Sequence, residues 1–237
     1  MSNTFTFNGT NSSDFEMYCS NGGTYDAPER DVSTVVVPGR NGELTIDNGR
    51  FTNTKVSFRC YVAKNFAENA QKIREWLLAP VGYCRLQDDA HPDEYRMARL
   101  VGGVEFGPNY TDKEATVELT FSCMPQRFLT DGEKMTFYPR STGYTAENPT
   151  PFEAKPILFI DGTGSGTLTL AGETIAISNI GDSVTIDCDT MNAYNGAENR
   201  NGTITLSGWP VLPPGKASYS YSGGITRFQM IHRWWTV

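Results

Sequence analysis

Histidine is scarce in this 237-residue chain: there are two, His91 and His232, far apart in sequence. No G-x-S-x-G segment accompanies them, so a Ser-His-Asp triad has few possible members. Cys-His catalysis has no recognisable flanking motif either. The five cysteines (Cys19, Cys60, Cys84, Cys123 and Cys188) are scattered, odd in number and without C-x-x-C spacing. That pattern speaks against a zinc site or a disulfide framework and for reduced, buried thiols. No apolar run approaches the ~20 residues of a membrane span, so no membrane insertion is expected. The opening MSNTFTFNGTNSSDF has neither a basic start nor an apolar core. A secretory signal is therefore not expected, and folding in the cytoplasm of the producing cell is. Positive charge is also short, with 20 Lys and Arg against 27 Asp and Glu, a net −7. This argues against a basic coat on nucleic acid, though not against nucleic acid passing an acidic lining.

What the chain has in quantity is turn and strand chemistry. Apolar residues make up 38% and aromatics 12%, too much for a disordered chain, and there are 23 glycines and 13 prolines. Together with abundant Ser and Thr this points to a mainly β protein. The stretch Val35–Tyr61 (VVVPGRNGELTIDNGRFTNTKVSFRCY) carries the densest signals. It reads as a β-branched run, a Pro-Gly-Arg-Asn-Gly turn, a short strand at Glu43–Ile46, a second Asn-Gly turn and an alternating strand from Lys55. Asn-Gly favours tight hairpins because both residues reach positive φ at low cost. A close-turned meander is expected, with nothing in it arranged for chemistry.

One helix is expected, over Asn65–Leu78. Its apolar positions Phe66, Ala70, Ile73 and Leu77 recur at helical spacing, Asn65 can cap its start, and Pro80 with Gly82 stops it. Strands are expected at Gly82–Asp88, Tyr95–Val104 and Lys113–Met124, the last ended by Pro125. Residues 129–155 carry three prolines and little periodicity, which places a linker there. The expected domains are 1–135, with the helix, and 136–237, with the terminal strand returning to the first domain. From Pro156 onward eight short strands at ~8–12-residue spacing suggest a β-sandwich.

Several segments invite a chemical reading. Asp88, Asp89, His91, Asp93 and Glu94 have the residue types of a cation site but lack calcium-loop spacing, and read as a solvated hairpin tip. Gly162-Thr-Gly-Ser-Gly166 lacks the Lys-Ser/Thr and the helix of a phosphate loop and reads as a flexible turn. Asp187 and Asp189 share a strand face, as paired acids of a glycan hydrolase would, but no separate acid stands out as a partner and they read as an acidic turn after a strand. Neither metal nor cofactor is expected. The neighbours Trp234 and Trp235 face opposite sides of a strand, so one needs cover from another domain, a subunit or a sugar.

Taken in order, several segments resemble the distal tail protein (Dit) family of long-tailed siphophages. They are Pro38-Gly-Arg-Asn-Gly42, the Val56–Val62 strand leading into the helix, and Phe121-Ser-Cys-Met-Pro-Gln126. In the second half they are Asn148-Pro149, Pro156-Ile-Leu, Thr185-Ile-Asp-Cys188, Pro210-Val-Leu-Pro-Pro-Gly215 and Arg233-Trp-Trp235. His232 departs from the pattern, standing where a proline is expected. The resemblance implies an N-terminal β-sandwich ring domain with one helix and a C-terminal galectin-like β-sandwich. It also implies a structural, non-enzymatic virion protein: a hexameric ring at the distal end of the tail tube, assembled in the host cytoplasm. Implied partners are further copies, the tail tube protein, a tail-associated hub or fibre protein and the tape measure protein. DNA would pass without specific binding. Ring contacts are expected at Val35, Val36, Val37, Arg40, Asn41, Glu43, Arg50 and Phe51. Trp209, Trp234 and Trp235 are expected at an inter-domain or partner contact. The alternative is a lectin-type module for host-surface attachment, binding sugar through Trp209 or Tyr219.

Overall fold

The computed structural model describes residues 3–20, 25–107, 113–140 and 145–237. The chain divides into two compact units, Met1–Arg127 with Val237, and Phe128–Thr236. In the first unit the strands are β1 (Phe5–Phe7), β2 (Thr10–Asn11), β3 (Met17–Cys19), β4 (Arg30–Val36), β5 (Glu43–Phe51) and β6 (Thr54–Val62). Helix α1 (Phe66–Leu78), β7 (Cys84–Asp88), β8 (Glu94–Val101) and β9 (Ala115–Leu129) follow. The second unit holds β10 (Thr136–Tyr138), β11 (Thr145–Asn148), β12 (Ile157–Leu170), β13 (Glu173–Ile177), β14 (Asp182–Asp187) and β15 (Asn192–Asn195). It continues with β16 (Glu198–Asn199), β17 (Ile204–Leu206), β18 (Gly215–Ile231) and β19 (Trp235–Thr236). The protein is mainly β.

In the first unit one sheet runs β2-β1-β7-β8-β9-β6-β3, and β19 also pairs with β9. On β6 the residues Val56, Phe58, Cys60 and Val62 are buried while Lys55, Ser57, Arg59 and Tyr61 are exposed, the alternation of a sheet covered on one face. The cover includes α1, whose Ile73 and Leu77 join Phe5, Phe7, Phe58 and Phe121 in a single core. Phe5 stacks on Phe58 at 4.7 Å between centroids and on Trp76 at 5.5 Å, and the Trp76 indole N–H donates to the Phe7 carbonyl at 2.9 Å. Asn65 does stand at the start of α1, but in a left-handed conformation (φ 53°) and without a side-chain cap bond. Its carbonyl starts the helix instead, accepting from Glu68 and Asn69.

The Val35–Tyr61 block is not one meander. β5 runs on past Ile46 to Phe51, and Asn48-Gly49 lies inside it as an irregularity in the pairing with β4. There Gly49 takes φ 73° and its amide donates to the Asp47 carboxylate at 2.8 Å, so a bulge rather than a turn uses its conformational freedom. β4 and β5 form a separate two-stranded sheet, while β6 belongs to the large one. Pro125 does not end β9 either. The pairing with β6 finishes at Thr54 with Cys123, so on that side proline removes no ladder bond.

The second unit is a nine-stranded sheet built on the long pair β12 and β18. Residues 129–155 are not a free linker: β10 pairs with the end of β18 and β11 with its beginning. Residues 141–144 of that stretch lie outside the described residues. Nor is Gly162–Gly166 a turn. It lies within β12, where the register against β18 shifts, and β18 itself runs unbroken over Gly215–Ile231 where short strands are expected. The glycines make the bend possible because the two backbones nearly touch. A Cβ on Gly224 would lie 1.7 Å from the Thr163 carbonyl oxygen, and one on Gly162 2.1 Å from that of Gly224. Before the bend β12 pairs with β14, after it with β13, so the sheet curls around one apolar core.

Candidate functional site

The β4–β5 hairpin is the part of the described chain that its own fold leaves uncovered. A type II turn closes it: the Arg40 amide donates to the Val37 carbonyl at 3.2 Å, Pro38 takes the second position and Gly39 the third at φ 80°. Register then places Val36 opposite Glu43, Val35 opposite Leu44 and Ser33 opposite Ile46. Val35, Leu44 and Ile46 therefore share one face and Val32 and Val36 the other. All five are exposed, Val36 at 71% and Ile46 at 54%. The base of the hairpin is polar. Arg30 pairs with Asp47 at 2.9 Å and lies 4.5 Å over the Phe51 ring, and Arg50 pairs with Asp31 at 2.6 Å. Hydrogen bonds from Asn48 and Arg50 hold the Asp31 carboxyl below its ordinary value.

Of the residues expected at a ring contact, Val35, Val36, Arg40, Asn41, Glu43 and Arg50 are exposed here, and Val37 and Phe51 are half-buried. The expected contact stretch Val35–Phe51 spans Leu44 and Ile46 without naming them, and Val32 on β4 lies outside it. A free two-stranded ribbon is marginal in water, and this one exposes five aliphatic side chains.

The other candidates resolve into structural roles. At the β7–β8 tip, Asp89 accepts from the Thr4 amide at 2.8 Å and from its hydroxyl, while Asp88 accepts from the His91 amide at 3.0 Å. The tip thus fastens β1 to β7. Among the described residues no trio of His, Cys, Asp or Glu is placed to hold a metal ion, and no helix is long and apolar enough to cross a membrane. Asp187 receives both guanidinium nitrogens of Arg233, at 2.7 and 2.9 Å, and the amides of Asp189 and Thr190. Burial works to raise its pKa, but the bonds from Arg233, Thr190 and Asp189 outweigh it and hold the carboxyl below its usual range. An acid kept ionised and fully engaged is a clamp between β14 and the chain end. Asp189 instead pairs with Lys155 at 3.1 Å.

The described contacts of Trp209, Trp234 and Trp235 lie in the second unit. Trp234 is 4% exposed in its core and stacks on His232 at 4.5 Å. Trp235 stacks on Phe152 at 4.4 Å and donates its indole N–H to the Glu153 carbonyl at 2.8 Å. Trp209 is half-buried against the same core. Tyr219, the other residue of the lectin reading, is buried, with its hydroxyl donating to the Pro139 carbonyl at 3.0 Å.

Two solved phage proteins share the fold of this chain, a sheet unit with one α-helix followed by a curled β unit. The chain superimposes on the Dit protein of phage SPP1, described as a paradigm of the hub adsorption apparatus in phages infecting Gram-positive bacteria. The TM-score is 0.77 at 11% identity, over all of both chains. A chain of the phage p2 baseplate in its activated conformation matches with TM-score 0.57 at 9% identity, over 97% of this chain and 96% of that one. At this identity the likeness is one of fold. No family model and no curated protein sequence matches the chain.

Proposed function

We propose that this chain is a structural hub subunit of a long-tailed phage tail tip, and that it assembles through the β4–β5 hairpin. The observation that carries the reading is the hairpin itself. Its two faces expose five aliphatic side chains and, among the described residues, no further strand pairs with its outer edges, on a chain whose whole fold matches a tail hub protein. Ring closure needs head-to-tail contacts in which one patch meets a different one, and a projecting ribbon laid on a neighbour supplies that geometry. Six copies are the proposed stoichiometry. The tail tube protein, with the tape measure protein it encloses, lies on one side and a hub or fibre protein on the other. The ring is a virion component assembled in the host cytoplasm, and its work is mechanical rather than catalytic. We further propose that Glu43 and Asp47 face the lumen, where carboxylates keep passing DNA from sticking. The division into an N-terminal ring-forming domain and a C-terminal outward-facing one belongs to the same reading.

Light scattering on the size-excluded protein, with negative-stain imaging, tests this. The expected result is a concentration-dependent ring of about six subunits with a central hole. The paired change Leu44→Asp and Ile46→Asp is expected to give a folded monomer. A wild-type protein that stays monomeric at high concentration overturns the reading.

A further inference from the structure

The first unit contains two cysteines that its fold brings into contact. Cys19 on β3 and Cys60 on β6 are directly opposed in the antiparallel ladder, and their sulfurs lie 3.1 Å apart, both buried. Among the described residues no other two cysteine sulfurs touch, and all five thiols are free. The ladder fixes which kind of pair this is. Ser20 donates to the Arg59 carbonyl at 2.8 Å and Ala63 to that of Glu16 at 2.9 Å, whereas the Cys19 amide points the other way, to Asn3, at 2.7 Å. Cys19 and Cys60 therefore occupy a non-hydrogen-bonded site, where α-carbons stand about 4.5 Å apart and side chains approach most closely. That separation lies within the span a disulfide accepts.

We propose that Cys19 and Cys60 are a dithiol site that a small disulfide of the glutathione type converts to an internal disulfide once the protein leaves a reducing cell. One protein thiolate attacks the small disulfide, forming a mixed disulfide and releasing one small thiol. The second protein sulfur then attacks the first, releasing the other small thiol. Two protein thiols are oxidised, one small disulfide is reduced to two thiols, and both protons end on those thiols. Access comes from position: β3 is a three-residue strand at the sheet edge, which opens locally more readily than the centre. The hydrogen bond with Cys19, together with burial, pushes the Cys60 thiol well above its usual pKa.

The location of the bond gives it a consequence. The 41-residue separation it closes contains the whole of β4 and β5, so the bond ties together the two chain segments from which the hairpin springs. Only the timing of oxidation rests on the proposed virion location; the bond itself does not.

Purified full-length protein incubated with oxidised glutathione at pH 8.5, then denatured and alkylated, tests the site. The expected result is loss of two of the five alkylatable thiols, with a cross-linked peptide pair containing Cys19 and Cys60. The bonded form is expected to melt about 5–10 °C higher in the first unit. Cys60→Ser removes the cross-link and the shift, leaving Cys19 as a glutathione adduct. Five alkylatable thiols after incubation, or a glutathione adduct in the wild type in place of the internal bond, overturns the proposal. Ring assembly is read separately by light scattering on the reduced protein, so failure of one inference is not mistaken for failure of the other.

Discussion

His232 shows how one side chain sets a condition on the second unit. Its Nε2 meets the Tyr138 hydroxyl at 2.5 Å and its ring stacks on Trp234. Burial pushes its pKa down to about 4, opposed only in part by Asp131. Above pH 6.5 both folded and unfolded chains carry the neutral ring. Below it the unfolded chain takes up a proton that the folded chain refuses until about pH 4. Stability is therefore lost as pH falls through that window, by about 2 kcal/mol once partial solvent screening is allowed for. Thermal melts between pH 7.5 and 4 measure this, and His232→Gln is expected to flatten the slope. The Asp187–Arg233 clamp is a second such dependence. With both partners mostly buried, Asp187→Asn is expected to cost about 1–3 kcal/mol in a denaturant titration. Neither role was legible in the sequence. His232 read as a departure from a family pattern and Asp187 as half of an acid pair, because their partners Tyr138 and Arg233 lie 94 and 46 residues away.

At the scale of elements, periodicity worked where one face is buried and failed where backbone meets backbone. The α1 stripe and the alternation of β6 and β9 were readable because burial imposes a fixed period. The β12–β18 bend was not, since glycines that permit a close approach look the same in sequence as glycines that make a loop. The two cases separate on substitution. Gly224→Ala sets a Cβ against the Thr163 backbone and is expected to cost roughly 3 kcal/mol or more. At Gly164 a Cβ meets nothing within 4 Å, so alanine there carries only the strain of φ +67°, about 1 kcal/mol. Denaturation midpoints of the two variants decide it. The hairpin lies between these extremes: its turn was legible from Pro38-Gly39, but its length was not, because the bulge at Asn48-Gly49 carries a turn's signature.

At the scale of the whole molecule, assembly through the hairpin as proposed would make stability a property of concentration. Covering its exposed aliphatics is worth on the order of 1 kcal/mol for each side chain, and anything that binds only the folded form raises its apparent stability by mass action. The melting temperature of the reduced protein is accordingly expected to rise between micromolar and hundred-micromolar concentration, and Leu44→Asp with Ile46→Asp is expected to abolish the rise. Differential scanning calorimetry across a dilution series measures both. In the proposed ring the same ribbon would also make the unassembled subunit a short-lived intermediate. A strand pair with open edges and aliphatic sides accepts any extended chain of suitable pattern, not just the right one. Faithful assembly then becomes a race, in which supply of the correct neighbours must outpace chance encounters, and the relative timing of synthesis does work that the interface alone does not.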